Sequence, residues 1–283
     1  MNGKVAEYYE NLRVKFVFND VETIISNYDT QDDGKLVFEF ADVAPQWFND
    51  TIYATIYGEL DGVTVESEEQ EYSVATYCYN TLNNRADDTE VRTLMVDLLN
   101  YGAAAQSYAN YKTDNLVNKQ LTEEQKTWGT ATLPQELTSV TNKAFEEIDN
   151  PTVNWIGCAL RLENSVTVRY KIQAENVANL KMKIKVNDIE YIIPSNEFVA
   201  IDSGYYHVYF DGLNAAQMSV PIYATVYYDD TDDDTDDGTM VSNTLCYSIE
   251  SYVVAKQNDT NTKLVEMLDA MIKYGYATFN YAN

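Results

Sequence analysis

Asn11-Leu12-Arg13-Val14-Lys15-Phe16-Val17-Phe18-Asn19-Asp20-Val21-Glu22-Thr23-Ile24-Ile25 recurs without a gap as Asn179-Leu180-Lys181-Met182-Lys183-Ile184-Lys185-Val186-Asn187-Asp188-Ile189-Glu190-Tyr191-Ile192-Ile193. The correspondence resumes downstream in the same order. Ile52-Tyr53-Ala54-Thr55-Ile56-Tyr57 matches Ile222-Tyr223-Ala224-Thr225-Val226-Tyr227, Tyr72-Ser73 matches Tyr247-Ser248, Tyr77 matches Tyr252, and Tyr101-Gly102 matches Tyr274-Gly275. Self-similarity on this scale marks a duplicated module. The expected domains are residues 1–112 and 151–283, joined by a polar segment, residues 113–150, in which Thr122-Glu123-Glu124-Gln125 fits a capping box. Two copies of one fold argue for repeated binding or spacing rather than for a single active site.

Leu180, Met182, Ile184 and Val186 alternate with Lys181, Lys183 and Lys185, the pattern of a strand with one buried and one wet face. Asn19-Asp20 and Asn187-Asp188 then suit a two-residue hairpin, because these residues tolerate positive φ. Leu36, Phe38 and Phe40, matched by Tyr206, Val208 and Phe210, read as a third strand. Ile52, Ala54 and Ile56, matched by Ile222, Ala224 and Val226, read as a fourth. The end of each module has helical periodicity: Val91, Leu94, Met95, Leu98, Leu99 and Gly102 in one, Leu264, Met267, Leu268, Met271, Ile272 and Gly275 in the other. Each apolar stripe is expected to lie on the sheet, with Gly102 and Gly275 as points of close approach to it. The fold class expected is α+β: two tandem modules, each an antiparallel β-sandwich with a C-terminal amphipathic helix packed on the sheet.

The copies differ at the start. Leu160, Leu162, Val166, Val168, Tyr170 and Ile172 supply one or two further strands in the second, where the first has only residues 1–10, so residues 151–283 are expected to fold alone and residues 1–112 to be marginal. They differ again at Asp229–Gly238, a run of aspartates. Calcium takes clustered oxygen ligands, and Asp229, Asp232, Asp234 and Asp236 are its candidate ligands here. The EF-hand template fails, since Asp237 stands where the loop glycine belongs. At most weak, roughly millimolar, binding is expected, and no other cofactor is implied.

The chain of 283 residues carries a formal charge of −26, which opposes phosphate backbones and anionic membranes, so nucleic acid is excluded as a partner. No apolar run reaches the length of a membrane span, and the N-terminus has no signal-peptide core. Export would make this chain an excised fragment. The single histidine, His207, removes multi-histidine metal sites and reads as a strand residue. Cys78, Cys158 and Cys246 occupy non-equivalent places in the repeat and read as buried free thiols.

Tyrosine is abundant, with 24 residues. Those repeated in both copies read as packing. Trp47 is different: it aligns with Gln217, while Phe48 aligns with Met218 as a core pair. Trp47 beside Asn49 and Asp50 is therefore expected to form a sugar platform, with an indole for the ring face and polar neighbours for the hydroxyls. Trp128, in the connecting segment, and Trp155, at the start of the second module, read first as packing residues and second as ligand contacts. Paired carboxylates for glycoside hydrolysis are not singled out among the 45 acids.

Tyr72-Ser73-Val74-Ala75-Thr76-Tyr77, Tyr247-Ser248-Ile249-Glu250-Ser251-Tyr252 and, above all, Tyr101-Gly102-Ala103-Ala104-Ala105-Gln106 resemble a tandem tyrosine-rich module of surface or secreted proteins of gut Firmicutes, Ruminococcus-like bacteria. There such modules accompany dockerins and carbohydrate-active domains, and some members resemble starch-adherence proteins. The resemblance implies a non-catalytic role and an extracellular or cell-surface location. It also implies a polysaccharide ligand, with α-glucan first, and other surface or cellulosome- or amylosome-like components as neighbours. The alternative is a structural spacer or protein-interaction module that positions neighbouring domains, and a glycosidase stands third.

Overall fold

Alternation of apolar and polar residues builds the first sheet. In the computed structural model, which describes residues 9–32, 34–41, 43–130, 133, 144–162, 165–228 and 238–282, Leu12, Val14, Phe16 and Phe18 share one face of β1 (Glu10–Phe18). Arg13 and Lys15 take the other face. Asn19 and Asp20 turn the chain at φ 49° and 63° into β2 (Val21–Ile25), with Phe18 opposite Val21, as a type I′ hairpin requires. A short ribbon follows, β3 (Asp29–Thr30) with β4 (Leu36–Val37). β5 (Ile52–Leu60) pairs with β1, while β6 (Val63–Glu66) and β7 (Gln70–Tyr72) pair with β5. Two helices close the copy, α1 (Val74–Asn84) and α2 (Thr89–Ala109). The Ser73 hydroxyl caps α1 by accepting from the Thr76 N–H at 3.0 Å, and Asp88 caps α2 by accepting from the Val91 N–H at 3.1 Å.

The second copy follows α3 (Glu123–Lys126) and β8 (Ala144–Glu146), and it begins with two strands, β9 (Asn154–Leu162) and β10 (Val166–Gln173). Then come β11 (Leu180–Val186), β12 (Ile189–Pro194), β13 (Val199–Asp202), β14 (Tyr205–Phe210), β15 (Ile222–Tyr228), β16 (Thr239–Met240) and β17 (Thr244–Tyr247). Helices α4 (Ile249–Lys256) and α5 (Thr262–Ala282) end it, with Ser248 capping α4 as Ser73 caps α1. One sheet runs β13-β14-β10-β9 and the other β12-β11-β15-β17-β8, with β16 beside β15. All pairings among the described residues are antiparallel. Val168, Tyr170, Ile172, Met182, Ile184, Val208, Ala224 and Val226 are all 0% exposed. Burial of such side chains, at about 1.5–3 kcal/mol for each larger one, supplies most of the driving force. Tyr191 meets Phe210 edge-on at 5.0 Å, and the Trp155 Nε1–H donates to the Asn243 carbonyl at 2.6 Å, so the two sheets are tied together.

The chain divides into two compact units, Met1–Thr122 and Glu123–Asn283. Residues 113–121, in the segment expected to connect the modules, belong to the first unit. Gln106, 1% exposed on α2, accepts from the Val117 N–H at 2.7 Å and donates to the Asn115 carbonyl at 3.3 Å. The Tyr79 hydroxyl donates to the Val117 carbonyl at 2.7 Å.

Three expectations change here. Sequence periodicity marks α2 and α5 but not α1 and α4, whose signals are their serine caps. The stretch Leu36–Phe40 is a strand only at Leu36–Val37, whereas its counterpart β14 runs six residues, because β14 is paired along its length with β10. Gly102 and Gly275 approach a turn rather than a sheet. A Cβ on Gly102 would stand 2.8 Å from the Phe48 ring and 3.2 Å from the Pro45 carbonyl, in the 3-10 turn Pro45–Trp47. On Gly275 it would stand 2.9 Å from the Met218 sulfur and 3.2 Å from the Ala215 carbonyl, in the equivalent turn Ala215–Gln217. The duplicated Tyr-Gly pair thus records a helix crossing a 3-10 turn in each unit.

Candidate functional site

The turn that meets Gly102 also carries the expected platform, and the structure reassigns it. Trp47 is half-buried, with its indole edge-on to Phe18 at 5.9 Å. Asn49 donates from Nδ2 to the Asn115 carbonyl at 3.1 Å. Asp50 is buried, and its carboxylate accepts from the Tyr111 hydroxyl and the Lys112 ammonium, each at 2.7 Å. That hydrogen bond to Asp50 holds the Lys112 pKa above its ordinary value. The polar neighbours expected to meet sugar hydroxyls instead hold residues 111–115. In the second unit Gln217 is buried and caps its own turn, its Oε1 accepting from the Asn214 N–H at 3.0 Å.

The other tryptophans, Trp128 and Trp155, belong to the second unit. Trp155 is half-buried in β9, with its ring 5.7 Å from that of Tyr170 and its N–H bonded to Asn243. Trp128 is half-buried just after α3, and its backbone N–H donates to the Gln125 carbonyl at 3.0 Å. The calcium candidates Asp229, Asp232, Asp234 and Asp236 lie outside the described residues. Among the described residues, no group of three or more His, Cys, Asp or Glu side chains gathers where it could hold a metal ion.

Repeated tyrosines have structural work. Lys15 lies 5.8 Å over the Tyr57 ring and 3.7 Å from Glu22, and Lys183 lies 5.1 Å over Tyr227 and 3.7 Å from Glu190. The same cation, carboxylate and ring therefore recur on both copies, on the face of β1 and β11 turned away from the core.

An aromatic and cationic surface lies on β14, β10 and β9 of the second unit. Because β14 alternates, Tyr206, Val208 and Phe210 point one way and Tyr205, His207 and Tyr209 the other. Register places Tyr209 opposite Arg169, His207 opposite Lys171 and Tyr205 opposite Gln173. Beyond β10, Ala159 is opposite Arg169 and Gly157 opposite Lys171, and nothing stands within 4 Å of where a Gly157 Cβ would be. The three rings form a row of roughly 13 Å, from two steps of the strand repeat, beside a floor of small residues. Lys171 lies 5.1 Å over the Tyr205 ring and Arg161 5.7 Å over that of Tyr209. Among the described residues neither Arg169 nor Lys171 has a carboxylate partner. This is a local positive island on a chain of charge −26. Desolvation first, then Arg169 and Lys171, lower the His207 pKa and keep the imidazole neutral near pH 7. Its Nδ1 lies 3.4 Å from the Tyr209 hydroxyl.

The end of this row borders a cleft of about 550 Å³, whose polar lining includes Asn154, Gln173, Glu175, Asn176 and Tyr228. Its amides and phenol offer donors and acceptors side by side, and its volume falls within the usual range of ligand sites. Sequence reasoning took His207 as a plain strand residue and passed over Tyr205 and Tyr209. The signal was the alternation of Tyr205-His207-Tyr209 against Tyr206-Val208-Phe210, set beside Arg169 and Lys171 on β10, a strand with no counterpart among the described residues of the first unit.

The thiols do not suit nucleophilic chemistry. Cys78 and Cys246 are buried, and Cys158 is largely covered. Burial pushes the Cys78 pKa up to about 12 and raises those of Cys158 and Cys246, so little thiolate forms near neutrality. The chain matches no family model, no curated protein and no solved structure.

Proposed function

We propose that the chain is a non-catalytic carbohydrate-binding protein of a bacterial cell surface. On this reading it is built from two β-sandwich modules with C-terminal helices, and the second module carries the binding face. The observation that supports it is the row Tyr205, His207 and Tyr209 beside the floor of Gly157 and Ala159. Sugar rings present apolar C–H faces that stack on such side chains, and their hydroxyls suit the guanidinium of Arg169, the ammonium of Lys171 and the amides of Gln173 and Asn154. The resemblance of the Tyr-Gly-Ala-Ala-Ala-Gln helix to modules of gut Firmicutes adds the surface location and α-glucan as the first ligand. The cations beside the row extend the range to glycans that carry carboxylates.

Affinity electrophoresis and calorimetry on soluble starch and on polygalacturonate test the reading. Tyr209→Ala, which removes a half-exposed ring, should weaken binding by about ten- to a hundredfold, as for other aromatic stacking partners, without lowering the melting temperature. Trp47→Ala should leave binding unchanged. Absence of binding by the parent chain to either polymer, or an equal loss from both variants, would sink the proposal. A spacer that positions neighbouring domains is then the reading that stands, and the Lys-Glu-Tyr arrangement repeated on both copies favours it.

A further inference from the structure

The sheet β13-β14-β10-β9 turns one row outward across its four strands: Val199, His207, Lys171 and Gly157 stand opposite one another in turn. The neighbouring row carries Tyr209, Arg169 and Ala159. The first row is open at both ends, since Val199 is 49% exposed and, among the described residues, nothing stands within 4 Å of where a Gly157 Cβ would be. The charges on these strands are unlike those of the chain. They carry Arg161, Arg169 and Lys171 against one acid, Asp202, on a chain of 45 acids and 19 bases. Asp202 stands opposite Tyr205, at the end of the face away from Arg169, and the residues paired across the two rows include no carboxylate. Arg169 and Lys171 share a face two positions apart, about 6.8 Å along the strand, and repel each other.

We propose that this face selects sugar rings that carry a carboxylate, so that its ligand class is a short uronic-acid oligosaccharide and Arg169 is the residue that sets the preference. The inference rests on the glycan-platform reading of the same site and adds the charge of the ring. A carboxylate placed over Arg169 accepts two parallel N–H···O bonds from the guanidinium fork. Lys171, steadied by the Tyr205 ring at 5.1 Å, adds a point charge beside it. The sugar ring stacks on Tyr209, and the neutral His207 offers one donor and one acceptor to its hydroxyls. Asp202 and the cleft residue Glu175 repel an anion, so the charged ring sits at the Arg169 end and neutral hydroxyls extend toward Gln173 and Asn154. The attraction is local. A charge of −26 opposes a long polyanion, but at physiological salt the screening length is about 8 Å, within which the two cations dominate.

The test gives the full chain a short oligogalacturonate and its methyl ester, which presents the same rings without their charge. Calorimetry should show the acid binding about tenfold or more tightly than the ester, an advantage that fades at about 1 M salt, where the screening length is about 3 Å. Arg169→Gln should remove the advantage and leave ester binding unchanged, Arg169→Lys should keep only part of it, and Tyr209→Ala should weaken acid and ester alike. His207 is the chain's single histidine, so its ring resonances report on this face by NMR. Lys171 and Val199 stand opposite it, Arg169 lies diagonally, Tyr205 and Tyr209 share its strand, and Asp202 lies beyond Tyr205. Desolvation first, then Arg169 and Lys171, hold its pKa down. A bound carboxylate offsets the two cations and should raise that pKa, whereas the ester should not. Equal affinity for acid and ester, with both moving the His207 resonances, would overturn the proposal and leave the glycan platform standing. An equal loss of both on Arg169→Gln, or a sulfated dextran that binds as tightly as the oligogalacturonate, would overturn it in the same way. Binding of neither probe, or binding that leaves the His207 resonances unmoved, would overturn the platform as well.

Discussion

Removing one amide should release the segment that follows α2. Gln106→Leu keeps roughly the side-chain volume and deletes both hydrogen bonds to residues 115–117. Asn115 is exposed and its carbonyl still accepts from Asn49 at 3.1 Å, so that loss is small. Val117 is 2% exposed, and its N–H, now 2.7 Å from the Gln106 oxygen, would face leucine carbons instead. An unpaired buried N–H costs about 1–3 kcal/mol. Taking about 2 kcal/mol, and a tenfold change for each 1.4 kcal/mol, the opening equilibrium of residues 115–121 should rise roughly 30-fold. Hydrogen exchange by mass spectrometry would show this as faster exchange in 115–121 with β1 and β5 unaffected. If the segment is coupled to the whole first unit, the loss appears instead as a melting point lowered by about 5–10 °C. A variant with parental exchange in 115–121 and parental melting would refute the reasoning, because the N–H must then find another partner without cost.

Gly102→Ala should destabilise more than Gly275→Ala. The new methyl meets a Phe48 ring carbon and Val117 Cγ1 at 2.8 Å in the first case, but chiefly the flexible Met218 side chain in the second. Overpacking of the rigid site should cost about 1–3 kcal/mol, read as a larger fall in melting temperature. The Lys112 ammonium is raised above its ordinary 10.5 by Asp50. Its contribution is therefore present below pH 10.5 and lost as pH rises through the elevated value, and Asp50→Asn should flatten that part of the alkaline unfolding curve relative to the parent. Matching curves would show that the pair contributes nothing. Cys78, Cys158 and Cys246 should resist a disulfide reagent at pH 8 in the native protein and all react in denaturant; rapid native labelling of Cys78 would contradict its raised pKa.

Much of the architecture was legible because it depends on local periodicity. Alternation placed β1, β11, β5 and β15, Asn-Asp placed the hairpin turns, and heptad-like spacing placed α2 and α5, since each pattern reports which face of an element meets water. The repeat added the correspondence of the two units. What the residues near Trp47 do was not legible, because it depends on partners distant in sequence: Asp50 is 61 and 62 positions from the groups it binds. An indole beside an amide and a carboxylate reads the same whether the polar groups face a ligand or the protein's own chain. The candidate face on β14 also needed the tertiary structure. Alternation alone shows that Tyr205, His207 and Tyr209 share a side, but only the pairing of β14 with β10 sets Arg169 and Lys171 against them and leaves Gly157 and Ala159 as an open floor. Periodicity is a property of one strand, whereas a binding surface is made by the register between strands, and register is decided by the core they jointly bury.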